Sequence, residues 1–283
     1  MNKVVAYVRL MRPVNCTMMG FAVIVGGLLT QLDAAASTWT SLAFGFTTGF
    51  MLTAASMIIN DYYDREIDAV NEPARPIPSG LVKPKEALGF SVVPTVCGFA
   101  AAYLTNVYCL VAAVIAWTVF FAYTTVGKRS GLPGNLLVSA CVATPFVYGS
   151  LAVAGRIEMN VLLFASMAFL SNTGREVTKG ISDVEGDRTK NVKTLAVVYG
   201  ERKAALSASA FYLSAVALSP LPWLMNLVSV WFIPFVAITD VGLAASSLML
   251  LKDYSRRNAK HVKKTVLVWF IVGLLAFVFG MLK

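Results

Sequence analysis

The chain has 283 residues, of which 57% are hydrophobic and 14% are charged, and its mean hydropathy is +0.69. Because a soluble domain is about 45–50% apolar and about a quarter charged, this composition excludes an ordinary soluble protein, a disordered chain and a disulfide-rich secreted module. The 24 Lys and Arg residues outnumber the 15 Asp and Glu residues, so the placement of the charges is the next clue.

Long apolar segments follow one another along the chain and predict membrane-spanning helices. A hydrocarbon core about 30 Å thick is crossed by about 20 apolar residues of helix. The segments predict nine spans, at residues 13–31, 38–59, 87–105, 107–125, 133–153, 158–173, 203–220, 225–250 and 263–282. We therefore predict an all-α, polytopic membrane protein in which residues 1–283 form a single domain. Its nine helices surround a central cavity, and the loops 60–86 and 174–202 form a cytoplasmic cap.

The basic residues predict the orientation of these spans. With the N-terminus inside, 22 of the 24 Lys and Arg residues fall in the N-terminal segment and in the loops on the cytoplasmic side, and only Arg156 and Lys283 remain for the other side. Such a bias follows the positive-inside rule. The sequence thus predicts a multi-pass protein of the cell membrane with both long loops in the cytoplasm.

The acidic residues form two clusters in those two loops. Five lie between Asp61 and Glu72, and four lie between Glu176 and Asp187. If the second span continues as a helix, Asn60, Asp64 and Asp68 lie on one stripe, because residues four apart share a helix face. Asp183 and Asp187 have the same spacing. Grouped carboxylates are unfavourable unless a cation joins them, and Mg²⁺ bound by a few carboxylates plus substrate phosphates fits two such sparse clusters.

The two motifs resemble those of a known family. The segment NDYYDREID at residues 60–68 is similar to the NDxxDxxxD motif of the UbiA superfamily of intramembrane prenyltransferases, and DVEGD at residues 183–187 is similar to its second motif. The resemblance extends to RPVN at residues 12–15, RPIPSG at residues 75–80, and Tyr123 with Lys128. It covers nearly the whole chain.

The resemblance implies a reaction and a set of site residues. The reaction is Mg²⁺-dependent transfer of a geranylgeranyl group from geranylgeranyl diphosphate to the glycerol hydroxyl of geranylgeranylglyceryl phosphate, which forms the second ether bond of archaeal membrane lipids. The implied partners are an isoprenyl diphosphate donor, a lipid-like acceptor and membrane lipids, with no nucleic acid. The residues implied for metal are Asn60, Asp64, Asp183 and Asp187; for catalysis Asp61, Asp68 and Arg75; and for substrate Arg75, Tyr123, Lys128, Lys179, Arg12 and Asn15, with Arg175 as a second choice.

Two other functions remain open at this point. The same donor chemistry serves aromatic acceptors of the quinone, chlorophyll or haem O type, because a fold does not fix its acceptor. A secondary transporter also has many helices, but its sites lie near the bilayer midplane on broken helices, whereas most of the clustered acids here follow apolar segments. Asp240 is the acid clearly inside a predicted span, and it is either functional or a structural hydrogen-bonding group.

Overall fold

The computed structural model describes residues 2–30, 36–125, 127–189 and 191–282, apart from the side chains of residues 36, 37, 128 and 129. Within these ranges all regular structure is helical. The helices are α1 (Lys3–Met11), α2 (Pro13–Thr30), α3 (Ala36–Asn71), α4 (Pro84–Thr105), α5 (Val107–Thr125), α6 (Leu132–Ala154), α7 (Met159–Ser182), α8 (Val184–Thr189), α9 (Leu195–Tyr199), α10 (Glu201–Leu218), α11 (Leu221–Leu224), α12 (Phe232–Lys252) and α13 (Arg256–Gly280), with a 3-10 turn at Gly127–Ser130.

The predicted all-α, polytopic membrane fold is confirmed. In the described part of the chain, eight helical segments are long and apolar enough to cross a membrane; α1 and α2 together form the first. The predicted span 158–173 lies in α7, which is not among the eight because its second half is rich in Ser, Thr, Asn and Glu. The count of nine spans and the cytoplasmic cap therefore stay predictions.

Two helices continue beyond the ends of their predicted spans. Helix α3 runs to Asn71, so the predicted loop 60–86 begins with twelve helical residues. Residues 60–71 contain no Pro or Gly, and the helix ends just before Pro73, as expected for a residue that interrupts helical hydrogen bonding. Helix α7 likewise runs to Ser182, well into the predicted loop 174–202.

The chain divides into two compact units. The first comprises Met1–Thr125 and Pro145–Ile157. In it, α2 and the second half of α6 touch backbone to backbone: a Cβ on Gly26 would lie 2.0 Å from the carbonyl oxygen of Phe146, and one on Gly149 would lie 2.1 Å from that of Val23. Small residues of this kind allow membrane helices to approach closely.

A cluster of buried apolar residues in this unit fixes the position of the chain around the first acidic motif. Ala6 and Leu10 of α1, Ile58 of α3, and Ile77 and Val82 of the following turn are buried together. This packing fixes the end of α1 and the 72–82 turn against α3. It thereby fixes the backbone positions of Arg12 and Arg75.

The second unit comprises Val126–Thr144 and Glu158–Lys283. Helix α7 packs against α10 and α13, and fourteen of its residues are buried, mostly in its second half. Two of its buried polar side chains are hydrogen-bonded within this unit: Asn172 donates to the Ser139 hydroxyl at 3.2 Å, and the Thr178 hydroxyl lies 3.0 Å from that of Tyr212. A polar helix is compatible with a membrane protein when protein, and not lipid, surrounds it.

Candidate active site

The first acidic motif lies on one face of α3. Because the helix continues to Asn71, Asn60, Asp64 and Asp68 occupy successive turns, as the sequence predicts, and Asp61 shares the face. Asp61, Asp64 and Asp68 are only 3%, 5% and 6% exposed. Buried carboxylates are costly unless cations or hydrogen-bond donors compensate them, so the arrangement requires partners.

Asn60 and Asp64 form one part of this face. The Asn60 Nδ2 donates to Asp64 Oδ2 at 2.9 Å, which turns the Asn60 Oδ1 away from that carboxylate. The Asn60 Oδ1 is buried and accepts no hydrogen bond from any residue that the structure describes. An amide oxygen and a neighbouring carboxylate are oxygen ligands suited to a hard divalent cation.

Two arginines compensate the other two carboxylates. Arg12 donates through Nη2 to Asp61 Oδ1. Arg75 Nη1 lies 2.5 Å from Asp68 Oδ2 and 3.5 Å from Asp61 Oδ1, so it links the two aspartates across two helical turns. Asp61 and Asp68 thus belong to an arginine network, whereas Asn60 and Asp64 pair with each other.

The remaining predicted residues of the first half are placed differently. Tyr123 is buried in α5, at 6% exposure. Asn15 lies half-buried in the first turn of α2, and no hydrogen bond between described residues joins its side chain to the acidic face. The backbone of Lys128 lies in the 3-10 turn, and its side chain is outside the described residues.

The second motif begins where α7 ends. Asp183 is the C-terminal cap of α7, and the backbone amide of Asp187 in α8 donates to its carbonyl oxygen at 3.1 Å. This one-turn geometry agrees with the predicted spacing of the two aspartates. The Asp183 side chain is 15% exposed and Asp187 is 6% exposed.

The structure adds two residues to this motif that the sequence does not predict. Lys263 of α13 lies with Nζ 3.4 Å from Asp183 Oδ1, an oxygen that also accepts the Ser182 hydroxyl at 2.6 Å. Arg256 donates through Nε to the Ser182 carbonyl at 3.0 Å and pairs with Glu185. In the sequence these cations are indistinguishable from the other basic residues of the 252–264 segment.

Lys179 and Arg175 flank a buried carboxylate on α7. Glu176 is 8% exposed; the Lys179 Nζ is 3.3 Å from one of its oxygens and the Arg175 Nη1 is 3.5 Å from the other. The Arg175 Nε is buried and has no hydrogen-bond partner among the described residues. Glu176, an acid that received no role from the sequence, therefore joins both predicted phosphate-binding cations.

Asp240 lies in α12, away from both motifs in sequence. Its Oδ2 accepts the hydroxyl of the buried Ser219 at 2.6 Å. The contact joins the end of α10 to the middle of α12. Of the two roles that the sequence leaves open for Asp240, this hydrogen bond supports the structural one.

The donor chemistry of both motifs fits Mg²⁺ in an open site. Among the described residues, no group of three or more His, Cys, Asp or Glu side chains is arranged to enclose a metal. Mg²⁺ is commonly held by one or two carboxylates together with waters and substrate phosphates. The buried Asn60 Oδ1 beside Asp64 is the observation that best fits such an ion.

Both acidic motifs lie in the part of the chain that matches a family of intramembrane prenyltransferases. A model described as the UbiA prenyltransferase family matches residues 19–271. The chain belongs to this family.

Similar proteins cover nearly the whole chain. The digeranylgeranylglyceryl phosphate synthase of Archaeoglobus fulgidus is 37% identical over 275 residues, which are 96% of this chain and 93% of the relative. A solved structure of a digeranylgeranylglyceryl phosphate synthase is 31% identical, with a TM-score of 0.74 and 100% of both chains covered. A UbiA homolog from Archaeoglobus fulgidus, solved bound to GPP and Mg²⁺, has a TM-score of 0.64 over 96% of this chain and 99% of that one; at 18% identity the likeness is one of fold.

Proposed function

We propose that this chain transfers a geranylgeranyl group from geranylgeranyl diphosphate to the glycerol hydroxyl of geranylgeranylglyceryl phosphate. The observation that carries the proposal is that Asn60 donates to Asp64 through Nδ2 while its buried Oδ1 accepts no hydrogen bond from a described residue, on a helix that also presents Asp61 and Asp68. The names of relatives that match over nearly their full length support this acceptor over an aromatic one.

Mg²⁺ is the proposed cofactor. Asn60 and Asp64 would bind it in the first motif, and Asp183 and Asp187 in the second. When bound, it neutralises charge that develops on the diphosphate. The homolog of the same fold solved with GPP and Mg²⁺ supports this choice of ion.

The reaction exchanges one carbon–oxygen bond for another. The bond between C1 of the donor and its diphosphate breaks, and diphosphate leaves with the electron pair. The acceptor hydroxyl oxygen forms the new bond to C1 and loses its proton, so the products are an ether, diphosphate and a proton. Catalysis of this step depends on stabilising the anionic leaving group and on keeping water from the allylic carbon.

The arginine network gives the first motif two further tasks. Arg75 is proposed to bind diphosphate oxygens, because its guanidinium lies against the acidic face at Asp61 and Asp68 and a guanidinium fork matches the geometry of phosphate oxygens. Asp68 or Asp61 is proposed to orient the acceptor hydroxyl or to accept its proton. Arg12 forms an ion pair with Asp61 and so helps to fix the position of this carboxylate.

The other predicted substrate contacts are part of the same proposal. Lys179, held by Glu176, is proposed to bind phosphate, with Arg175 as the second candidate. Tyr123, Lys128 and Asn15 are proposed substrate contacts on the strength of the family resemblance.

The proposed location is the cell membrane, with the N-terminus and both motifs on the cytoplasmic side. The distribution of 22 of the 24 basic residues supports this orientation. A lipid-like acceptor and an isoprenoid donor both reside in the bilayer. Because the family model spans residues 19–271 and so includes both motifs, we propose that residues 1–283 act as a single catalytic domain.

The test is an assay of membranes that contain the protein, with labelled geranylgeranyl diphosphate and Mg²⁺. The acceptor is either geranylgeranylglyceryl phosphate or 4-hydroxybenzoate. We expect an ether product with the first acceptor and no product after addition of EDTA. Product with 4-hydroxybenzoate alone would assign the chain to aromatic prenylation, and EDTA-insensitive activity would contradict the metal proposal.

Variants of the proposed ligands make the test specific. Asp64→Ala and Asp183→Ala are expected to abolish turnover, and Asn60→Ala to raise the Mg²⁺ concentration for half-maximal activity by about tenfold or more. Glu66→Ala is the matched control, because Glu66 is an exposed acid on the same helix. Unchanged activity in both aspartate variants would refute the assignment of these ligands.

A further inference from the structure

In the sequence, membrane orientation accounts for all six basic residues from Lys252 to Lys264. In the structure, these residues differ in exposure. The side chain of Lys263 is 13% exposed, whereas Lys264 beside it and Arg257 on the same helix are exposed. A lysine that serves only orientation has no reason to point inward, because its ammonium is better solvated in water.

The packing of α13 explains why Lys263 points inward. Ala259, Val262 and Val266 are fully buried against the second unit's core, which fixes the rotation of the helix. This rotation brings the Lys263 Nζ to 3.4 Å from Asp183 Oδ1. Two helical turns earlier, Arg256 binds the Ser182 carbonyl at 3.0 Å, so α13 holds the chain on both sides of the Asp183 carboxylate.

We propose that Lys263 is a substrate-binding residue that donates to a phosphate oxygen beside Asp183. The inference rests on the proposed function, since it takes Asp183 as a carboxylate that works together with a phosphate-bearing substrate. An ammonium next to a metal-binding carboxylate repels the metal ion unless an anion lies against both cations. Phosphate oxygens provide that anion, and lysine binds them as a compact charge with three donors.

The exposure of both partners agrees with this role. The Lys263 and Asp183 side chains keep 13% and 15% of their surface accessible, so a phosphate oxygen can reach the ammonium. The Ser182 hydroxyl lies 2.6 Å from Asp183 Oδ1 and 2.9 Å from the Lys179 carbonyl oxygen, so its single proton can serve Asp183 when Lys263 turns to a phosphate. The phosphate belongs either to the donor diphosphate or to the monoester of the acceptor, which have the same oxygen chemistry.

Binding measurements on the full chain in lipid nanodiscs with Mg²⁺ test the proposal without turnover. The probes are inorganic diphosphate, which represents the donor, and glycerol 1-phosphate, which represents the acceptor. Lys263→Ala is expected to weaken one probe by about tenfold to a hundredfold, the range for a hydrogen bond to a charged group. The probe that is weakened identifies the substrate that Lys263 binds.

The matched control is Lys264→Ala, which removes the same charge from the neighbouring exposed position. Three results would overturn the proposal. The first is that the wild type and Lys263→Ala bind both probes equally, and the second is that Lys263→Ala and Lys264→Ala lose affinity equally. The third is that neither probe binds saturably to the wild type. Lys263→Arg is expected to keep most of the affinity that Lys263→Ala loses. If the arginine contacts Asp183 but the affinity for the probe is still lost, this would also count against a phosphate contact.

Two further readouts separate binding from folding and from the proposed function. Lys263→Met keeps the length of the side chain, and its thermal unfolding midpoint shows whether the fold survives. Weak binding in a folded Lys263→Met variant supports the proposal, and wild-type binding overturns it. Absence of ether product with the wild type would refute the proposed function, whereas the binding result judges Lys263 by itself.

Discussion

The hydroxyl of Tyr212 lies 3.0 Å from the hydroxyl of Thr178, and both side chains are fully buried. Thr178 donates its single hydroxyl proton to the Gly174 carbonyl at 2.9 Å, so Tyr212 is the donor in the pair. The contact joins α10 to α7 next to Lys179. Gly174 makes the contact possible, because a Cβ there would lie 2.8 Å from the Tyr212 ring.

Tyr212→Phe is expected to lower the free energy of unfolding by about 1 kcal/mol, the net value of a typical buried hydrogen bond. The ring packing is retained, so turnover below the unfolding midpoint should change little. Thermal unfolding in detergent measures the effect. Tyr199→Phe is the control, because Tyr199 is 59% exposed; an equal shift in both variants would contradict the assignment.

Gly26→Ala is expected to destabilise the first unit by about 1–3 kcal/mol, the range for an overpacked interior. The added Cβ would lie 2.0 Å from the Phe146 carbonyl oxygen, so α2 and α6 must separate. The control is Gly89→Ala, since a Cβ at that position of α4 meets nothing within 4 Å. Gly89→Ala should be neutral or stabilising by about 0.5–1 kcal/mol. If Gly26→Ala unfolds at or above the midpoint temperature of Gly89→Ala, the close packing of α2 and α6 would be contradicted.

Arg75→Ala is expected to reduce turnover by about a hundredfold, the scale of losing one stabilising donor at a developing charge. It also leaves Asp68 without a cation that lies 2.5 Å away. Kinetics with geranylgeranyl diphosphate as the varied substrate measure the loss.

Arg65→Ala is the paired control for Arg75→Ala. The Arg65 guanidinium lies 4.9 Å from the Tyr62 ring centroid and donates to the Tyr62 carbonyl. These contacts differ from those of the arginine network. Comparable losses of turnover in the two variants would indicate a general charge effect and not a role of Arg75.

Asp240→Asn is expected to keep full turnover and an unchanged KM for the donor. Asn retains an oxygen that can accept the Ser219 hydroxyl, so the link between α10 and α12 survives. Asp240→Ala should lower the unfolding midpoint through loss of this link. A fall in kcat for Asp240→Asn at normal stability would instead place the carboxylate in the reaction.

Local periodicity explains what the sequence could predict of the site. Asn60, Asp64 and Asp68 share a face because the spacing of four holds on any α-helix, and the same is true of Asp183 and Asp187 over one turn. The helical extension to Asn71 follows from a segment without Pro or Gly. The membrane class follows from apolar length alone.

Contacts that depend on distant packing could not be predicted. Arg75 reaches two aspartates only through the 72–82 turn, which closes with a hydrogen bond from Val82 to the Pro76 carbonyl and a positive φ at Gly80. Lys263 is 80 residues from Asp183, and topology alone already explains a lysine there. The sequence indicates no role for Glu176, because the burial of this acid depends on how α7 packs against α10 and α13.

The backbone at Arg12 has a practical consequence for protein engineering. With φ 53° and ψ 67°, this residue is left-handed between α1 and α2, a conformation that costs a non-glycine residue about 1 kcal/mol. Standard stabilisation schemes would replace it by glycine, which adopts this conformation without strain. Here the same change would withdraw a guanidinium from Asp61 and leave only the longer contact with Arg75, so a variant designed in this way would have weaker charge compensation where the reaction is proposed to occur.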